Sequence, residues 1–108
     1  MPSSSASADQ LPAAAATARV RVVVRGRVQN VGFRAYVEHS ARQMGLAGWV
    51  RNVGYDSVEA VAEGERRTLD GFIESMQTGP LGSQVEESTV EWQDPTGEFS
   101  YFGVRRSV

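Results

Sequence analysis

Polar and apolar residues alternate along two stretches of the chain, and this pattern predicts β-strands. Residues 19–25 begin with arginine and valine in turn and are rich in β-branched side chains. In residues 57–63, Val58, Ala60 and Ala62 alternate with Ser57, Glu59 and Glu63. Because successive side chains of a strand point to opposite faces, each stretch can bury one face and expose the other.

Two other stretches have the spacing of amphipathic helices. In residues 33–44, five residues recur at helical spacing and so share one face of the helix: Phe33, Val37, Ser40, Ala41 and Met44. At about 100° per residue they span an arc of about 100°. In the second stretch Leu69, Phe72, Ile73 and Met76 stand at i, i+3, i+4 and i+7. Gly45 and the Gly79-Pro80 pair indicate where the two helices end.

Residues 47–52, 85–92 and 99–105 predict further strands, and residues 47–52 form a hairpin with residues 57–63. The predicted order is β-α-β-β-α-β with an extra C-terminal strand. Each helix has one apolar stripe, so both should cover the same face of one mostly antiparallel sheet. The expected fold class is therefore α+β, a ferredoxin-like βαββαβ sandwich, in a single domain over residues 19–108.

Residues 1–18 are mostly serine and alanine, carry one charge and lack apolar periodicity. That composition is typical of a disordered extension. A secretory signal peptide needs a basic start and a run rich in leucine or valine, which this segment lacks. No run is long and apolar enough to cross a membrane. We therefore expect a cytoplasmic protein that has no membrane contact. We also expect a monomer.

The composition excludes several kinds of chemistry. The chain has 108 residues, no cysteine and a single histidine, and all 11 basic residues are arginine. Without cysteine there is no disulfide, thiolate zinc site, iron–sulfur cluster or cysteine nucleophile. Without lysine there is no Schiff base and no lysine-dependent phosphate loop. One histidine cannot form a multi-histidine metal site, so we expect neither metal nor cofactor.

The charges are unevenly distributed, although the formal net charge is only −2. Residues 19–52 hold seven arginines and one acid, whereas residues 53–104 hold two arginines and eleven acids. The basic half indicates a local anion site, while its charge is too small for a nucleic-acid surface. The alternative is solvated arginines on strand edges. The acidic half is most simply a solvated surface.

Residues 26–34, with the sequence GRVQNVGFR, join the first strand to the first helix. The free amide groups at a helix start, two glycines and Arg34 in the first turn can together bind an anion. A guanidinium can also hold a phosphate through two hydrogen bonds. This pattern alone is weak, because many such loops are plain connectors.

The same segment resembles the signature of the acylphosphatase family, G-x-V-Q-G-V-x-F-R. The matching positions are Gly26, Val28, Gln29, Val31, Phe33 and Arg34. A second family segment, G-W-V-x-N followed by a turn and V-E, resembles residues 48–52 and Val58-Glu59. Further similarity extends from about Val20 to Arg106. The two motifs occur at the expected spacing on the fold that the periodicity predicts.

The resemblance implies hydrolysis of the carboxyl-phosphate bond of acyl phosphates, which are small-molecule substrates. It implies that Arg34 holds the phosphoryl group together with the loop amides of Gln29, Asn30, Val31, Gly32 and Phe33. It also implies that Asn52 orients the attacking water, with inorganic phosphate as product and inhibitor. By itself, Asn52 would more simply be a residue that starts a turn.

The sequence departs from the family pattern at two places. Asn30 stands where the family usually has glycine, and asparagine tolerates a positive φ better than most residues. Tyr55-Asp56 replaces the usual Asp-Gly of the hairpin, which leaves the turn type open. Alternation along the strand places Arg51 on the face opposite Asn52. His39 lies about 140° from the apolar stripe of its helix and should face solvent.

The sequence leaves one alternative function open and argues against two others. The chain could be a catalytically silent module that binds phosphate or another anion on the same fold. An RNA-binding ferredoxin-like sheet would need exposed aromatic residues on its central strands, and residues 19–25 and 57–63 contain none. The signature also occurs in a domain of larger carbamoyl-transfer enzymes, but this chain ends just after the fold.

Overall fold

The computed structural model describes residues 16–108 and contains two helices and five strands in the predicted order. The elements are β1 (Thr17–Arg27), α1 (Phe33–Gln43), β2 (Ala47–Val53), β3 (Ser57–Glu65), α2 (Arg66–Thr78), β4 (Gln84–Gln93) and β5 (Phe102–Val104). Most of the predicted disordered extension lies outside the described residues. Strand β1 begins at Thr17, two residues before the predicted start.

The strands form one sheet in the order β4-β1-β3-β2-β5. All neighbours are antiparallel except β2 and β5, which are parallel. Strands β1 and β3 are therefore the central pair of the β4-β1-β3-β2 arrangement that the split βαβ fold requires, and β5 is added beside β2. The fold class predicted from periodicity is confirmed: it is ferredoxin-like, with an added parallel strand at one edge.

The face of the sheet beneath the helices forms the core. Val20, Val22 and Val24 of β1 alternate with more exposed neighbours and are completely buried. The apolar stripe of α2 packs against β1 and β3, and that of α1 packs mainly against β2 and β5. The buried stripe residues are Phe33, Val37 and Ala41 of α1 and Leu69, Phe72 and Met76 of α2. This packing fixes the start of α1 relative to the sheet, because Phe33 is its first residue.

A β-bulge directs the chain from β1 into the loop that precedes α1. The pairing of β1 with β4 shifts between Arg25 and Gly26. Gly26 has φ +140°, and a Cβ there would lie 2.3 Å from the carbonyl oxygen of Gln84. Only glycine fits this approach, so the first residue of the sequence motif is required by the backbone rather than by chemistry.

The opposite face of the sheet carries cross-strand ion pairs. The Nε atoms of Arg21 and Arg51 donate to Glu59 at 2.6 and 2.8 Å, and Arg19 pairs with Glu63 at 3.0 Å. Glu59 is only 6% exposed and Glu63 only 7%. The expectation that the acidic half is a solvated surface is therefore wrong for these two residues. Strand pairing brings them beside arginines of the basic half.

Strand β5 is shorter than predicted, because residues 94–101 do not pair as a strand. The backbone amides of Thr96 and Gly97 donate to the carboxylate of Glu63 at 2.9 and 3.0 Å. This loop folds against the open face of the sheet and satisfies a buried carboxylate. Pairing in β5 begins at Phe102, whose ring packs edge-on against Phe72 with centroids 5.9 Å apart.

Candidate active site

A cavity of about 330 Å³ opens where the β1–α1 loop, the first turns of α1 and the end of β2 meet. It is lined by Val28, Asn30, Gly32, Phe33, Arg34, Ala35, Glu38, Asn52 and Val104. The cavity therefore brings together Arg34 and Asn52, which are 18 positions apart in the sequence. It also receives the first turn of a helix, where backbone amides are free.

The loop reaches the helix through two residues with positive φ. Asn30 has φ 61°, which confirms the expectation that asparagine adopts the conformation usually given to glycine. Gly32 has φ 73° and is the N-cap of α1. Its carbonyl accepts the first helical hydrogen bond, from the amide of Tyr36.

The start of α1 is electropositive. The amides of residues 33–35 precede the first helical hydrogen bond and so have no partner within the helix. No side chain of the described residues caps them, and the first turn has no acidic residue. Together with the helix dipole, these groups favour an anion at this end of the cavity.

Arg34 lies on the cavity wall with its side chain half-buried. Within residues 16–108, no carboxylate lies within ion-pair distance of it. Several other arginines of the basic half do have acidic partners. The guanidinium of Arg34 is thus available for a ligand, since no carboxylate in the described part of the chain pairs with it.

Asn52 is the penultimate residue of β2 and borders the same cavity. It lies on the face of Val50, which is buried beneath the helices. Arg51 lies on the other face, where it bonds to Glu59 and stacks over Trp49 with its guanidinium carbon 4.8 Å from the ring centroid. The predicted division of these two side chains between the faces is confirmed. In the described part of the chain, the Asn52 carboxamide has no hydrogen-bond partner.

Two of the predicted phosphate-binding positions do not line the cavity. Val31 packs against the core. The side chain of Gln29 points to the β2–β3 hairpin, where its Nε2 donates to the carbonyls of Val53, Gly54 and Ser57. The cavity lining includes the other predicted positions, Asn30, Gly32, Phe33, Arg34 and Asn52.

Glu38 also lines the cavity, although it is not among the residues expected from the sequence. It follows Arg34 by four positions, so the i,i+4 spacing on α1 could have revealed it. Its carboxylate pairs with Arg42 at 3.1 Å, and the Nε of Arg42 donates to the carbonyl of Phe102 at 3.0 Å. This chain of contacts joins the cavity wall to β5. His39 is exposed, as predicted.

Residues 16–108 contain no group of three histidine, cysteine or acidic side chains placed to hold a metal ion. No helix in that part of the chain is both long and apolar enough to cross a membrane.

Comparison with known proteins gives consistent matches. The sequence profile of the acylphosphatase family matches residues 20–104. An acylphosphatase of Roseiflexus sp. (strain RS-1) is 44% identical over 87 residues, covering 81% of this chain and 94% of that protein. The crystal structure of acylphosphatase from Bacillus subtilis superposes with a TM-score of 0.78 at 35% identity, covering 82% of this chain and 98% of that one. HypF from T. kodakarensis superposes with a TM-score of 0.71 at 29% identity, but the match covers only 12% of its chain.

Proposed function

The chain belongs to the acylphosphatase family and hydrolyses the carboxyl-phosphate bond of acyl phosphates, and we propose that Arg34 and Asn52 carry this reaction. The observation that supports the assignment is their meeting in one cavity, each without a partner among residues 16–108, beside the open start of α1. A charged guanidinium, a neutral carboxamide and free amides are a suitable set for a dianionic phosphoryl group and a water.

In the proposed complex, the phosphoryl oxygens accept hydrogen bonds from Arg34 and from the loop amides of residues 29–33. Arg34 contributes a charge-assisted clamp, and the helix start contributes dipoles of the same sign. Phosphoryl transfer passes through a loose transition state with charge spread over these oxygens. Groups already oriented toward that charge lower the barrier, because they need no reorganisation during the reaction.

Asn52 holds the attacking water in line with the bond to the leaving group. The water oxygen bonds to phosphorus while the bond from phosphorus to the acyl oxygen breaks. The carboxylate leaves with the electron pair, and a phosphoryl oxygen takes the proton of the water. A neutral carboxamide can orient the water by hydrogen bonds without repelling the phosphate, as a carboxylate would.

This proposal requires no metal, no cofactor and no protein nucleophile. Inorganic phosphate leaves as the product and competes for the same donors. We further propose that the protein acts in the cytoplasm as a monomer, on a small molecule and without nucleic acid. Its mass in solution by light scattering would test the monomer directly.

A catalytically silent anion-binding module, the alternative from sequence, would bind phosphate without turnover.

Hydrolysis of benzoyl phosphate, followed optically with EDTA present, tests the assignment. We expect full activity of the unaltered protein in EDTA. Arg34→Ala and Asn52→Ala should each lower kcat/KM by on the order of 10²-fold or more. Arg34→Ala should also weaken inhibition by phosphate, because it removes the charge that holds the anion.

Arg67→Ala is the matched control, because Arg67 is exposed on α2 and lies outside the cavity lining. Full activity of both Arg34→Ala and Asn52→Ala would overturn the site assignment. Loss of activity in EDTA, restored by a divalent cation, would overturn the metal-free mechanism.

A further inference from the structure

The two proposed catalytic side chains are carried by different segments of the chain. Arg34 follows the β1–α1 loop on the first turn of α1, whereas Asn52 stands at the end of β2, just before the hairpin turn. The phosphoryl group and the attacking water must be placed relative to each other within a fraction of an ångström. Whatever joins the loop to the hairpin therefore affects the alignment of the reaction.

Gln29 makes that connection with its side chain. Its Nε2 lies 2.9 Å from the carbonyl oxygen of Ser57, 3.1 Å from that of Gly54 and 3.3 Å from that of Val53. A carboxamide nitrogen has two hydrogens, so these three acceptors share them. The side chain is thus hydrogen-bonded to both ends of the turn, because Val53 is the last residue of β2 and Ser57 is the first residue of β3.

A second contact holds the same two segments together at the backbone. The amide of Gly26, at the bulge of β1, donates to the carbonyl of Asp56 at 2.9 Å. This bond secures the base of the loop, three residues before Gln29. The Gln29 side chain secures the part of the loop next to Asn30 and the helix start.

The direction of the Gln29 side chain decides between two roles, which are binding phosphate and holding the hairpin. It is not among the residues that line the cavity, and both hydrogens of its carboxamide point to hairpin carbonyls. The side chain therefore cannot also bind phosphate while these bonds exist. Its contacts lead instead to Val53, the neighbour of Asn52 in the strand.

We propose that Gln29 is a positioning residue, whose side chain fixes the hairpin that carries Asn52 against the phosphate-binding loop. This inference rests on the proposed roles of Arg34 and Asn52. It implies that replacing Gln29 lowers turnover much more than phosphate binding. Phe33 anchors the start of α1 in the core and Val31 packs against the same core, so Arg34 and the loop amides beside them stay in place and phosphate binding persists. Asn52 loses its alignment, so turnover falls.

The first test replaces Gln29 by methionine, which has similar length but no N–H donor. For Gln29→Met we expect kcat to fall by on the order of 10-fold or more, while the inhibition constant for phosphate changes by less than about 3-fold. Gln77→Met is the matched control, because Gln77 makes one exposed hydrogen bond to Ser88 away from the cavity. It should leave both quantities unchanged.

The second test uses pH to switch the contact within one variant. In Gln29→Glu, the introduced carboxyl can donate to one carbonyl when protonated, but repels all three when ionised. We expect its kcat, relative to that of the unaltered protein at each pH, to decrease as the pH rises through the pKa of that carboxyl. Partial recovery at low pH would also show that the variant folds.

A purely structural role gives a different pattern, in which the unfolding midpoint falls but kcat per folded molecule does not. That result, or an equal change of kcat and of the phosphate inhibition constant, would overturn the inference. Failure of the proposed function is distinguishable, because it appears as full activity of Arg34→Ala and Asn52→Ala. The two sets of variants are therefore assayed together.

Discussion

The arginines on the open face of the sheet and the arginine in the cavity are in opposite electrostatic situations. On the open face, Arg21 and Arg51 converge on Glu59, which strand pairing buries between them. In the cavity at the start of α1, Arg34 has no acidic partner among the described residues. Part of the charge of the basic half is thus neutralised across strands on the open face, whereas the charge of Arg34 in the cavity is available for a ligand. The comparison shows that a basic segment is not by itself an anion site.

Substituting one arginine from each region gives the largest expected contrast. Arg34→Ala should lower kcat/KM by on the order of 10²-fold or more, with a change in stability within about 0.5 kcal/mol, because its side chain supports no other group. Arg21→Ala should keep its activity and lose about 1 kcal/mol of stability, since Glu59 keeps Arg51 as a partner.

Paired measurements of benzoyl phosphate kinetics and urea unfolding would check this contrast. Equal loss of activity in the two variants would mean that the open face contributes to catalysis, contrary to the comparison.

Acid should lower the stability of the protein through the two carboxylates that are buried on the open face, Glu59 and Glu63. Burial opposes ionisation of Glu59, but hydrogen bonds from Arg21 and Arg51 outweigh it and lower the pKa of Glu59 below the ordinary 4.5. Burial likewise opposes ionisation of Glu63, but the amides of Thr96 and Gly97 and the guanidinium of Arg19 lower its pKa.

The folded protein therefore binds fewer protons than the unfolded chain in this range, and its stability rises with pH. The contribution of these carboxylates is complete above the ordinary pKa of 4.5 and is lost as the pH falls through the lower folded value. Urea midpoints between neutral and acid pH should fall less steeply for Glu59→Gln than for the unaltered protein. Glu74→Gln, on the exposed surface of α2, should keep the original slope. An unchanged slope in Glu59→Gln would contradict the role assigned to the Arg21–Glu59–Arg51 cluster.

The smallest expected effect concerns Glu38, the one carboxylate among residues 16–108 that lines the cavity. Glu38→Gln removes a negative charge near the proposed anion site and frees Arg42. Phosphate should then inhibit a few-fold more strongly, because repulsion by one partly exposed carboxylate weakens anion binding by about 1 kcal/mol. The gain should shrink at high salt, where charges are screened.

Asp70→Asn is a matched control for Glu38→Gln, because Asp70 forms an i,i+4 contact with Arg66 on the other helix. Phosphate inhibition that is unchanged in Glu38→Gln, or equally altered in Asp70→Asn, would argue against an effect within the cavity.

Much of the fold was predictable because it depends on local patterns. Alternation identified β1 and β3, and it separated Asn52 from Arg51 correctly, since both features follow from the geometry of one strand. The positive φ of Asn30 followed from the few residues that tolerate that conformation. In each case, the information lies within a few neighbouring positions of the sequence.

The remaining features depend on which strands become neighbours. The burial of Glu59 results from pairing of β3 with β1 and β2, whose arginines then surround it. The shortening of β5 results from the loop that binds Glu63. The direction of the Gln29 side chain depends on the carbonyls of a hairpin more than 20 positions away. No local pattern records these contacts, although the family motif did include Gln29.

The parallel pairing of β5 with β2 also has a consequence for how the protein becomes active. Val104 of β5 forms one wall of the cavity, and its backbone partner in β2 is Val50. This contact joins positions 54 apart in the sequence, and such distant contacts form slowly because a long loop must close. A nascent chain that lacks residues 102–104 has an incomplete cavity. During refolding, activity should return with the docking of this last strand, after the helices and the central hairpin have formed.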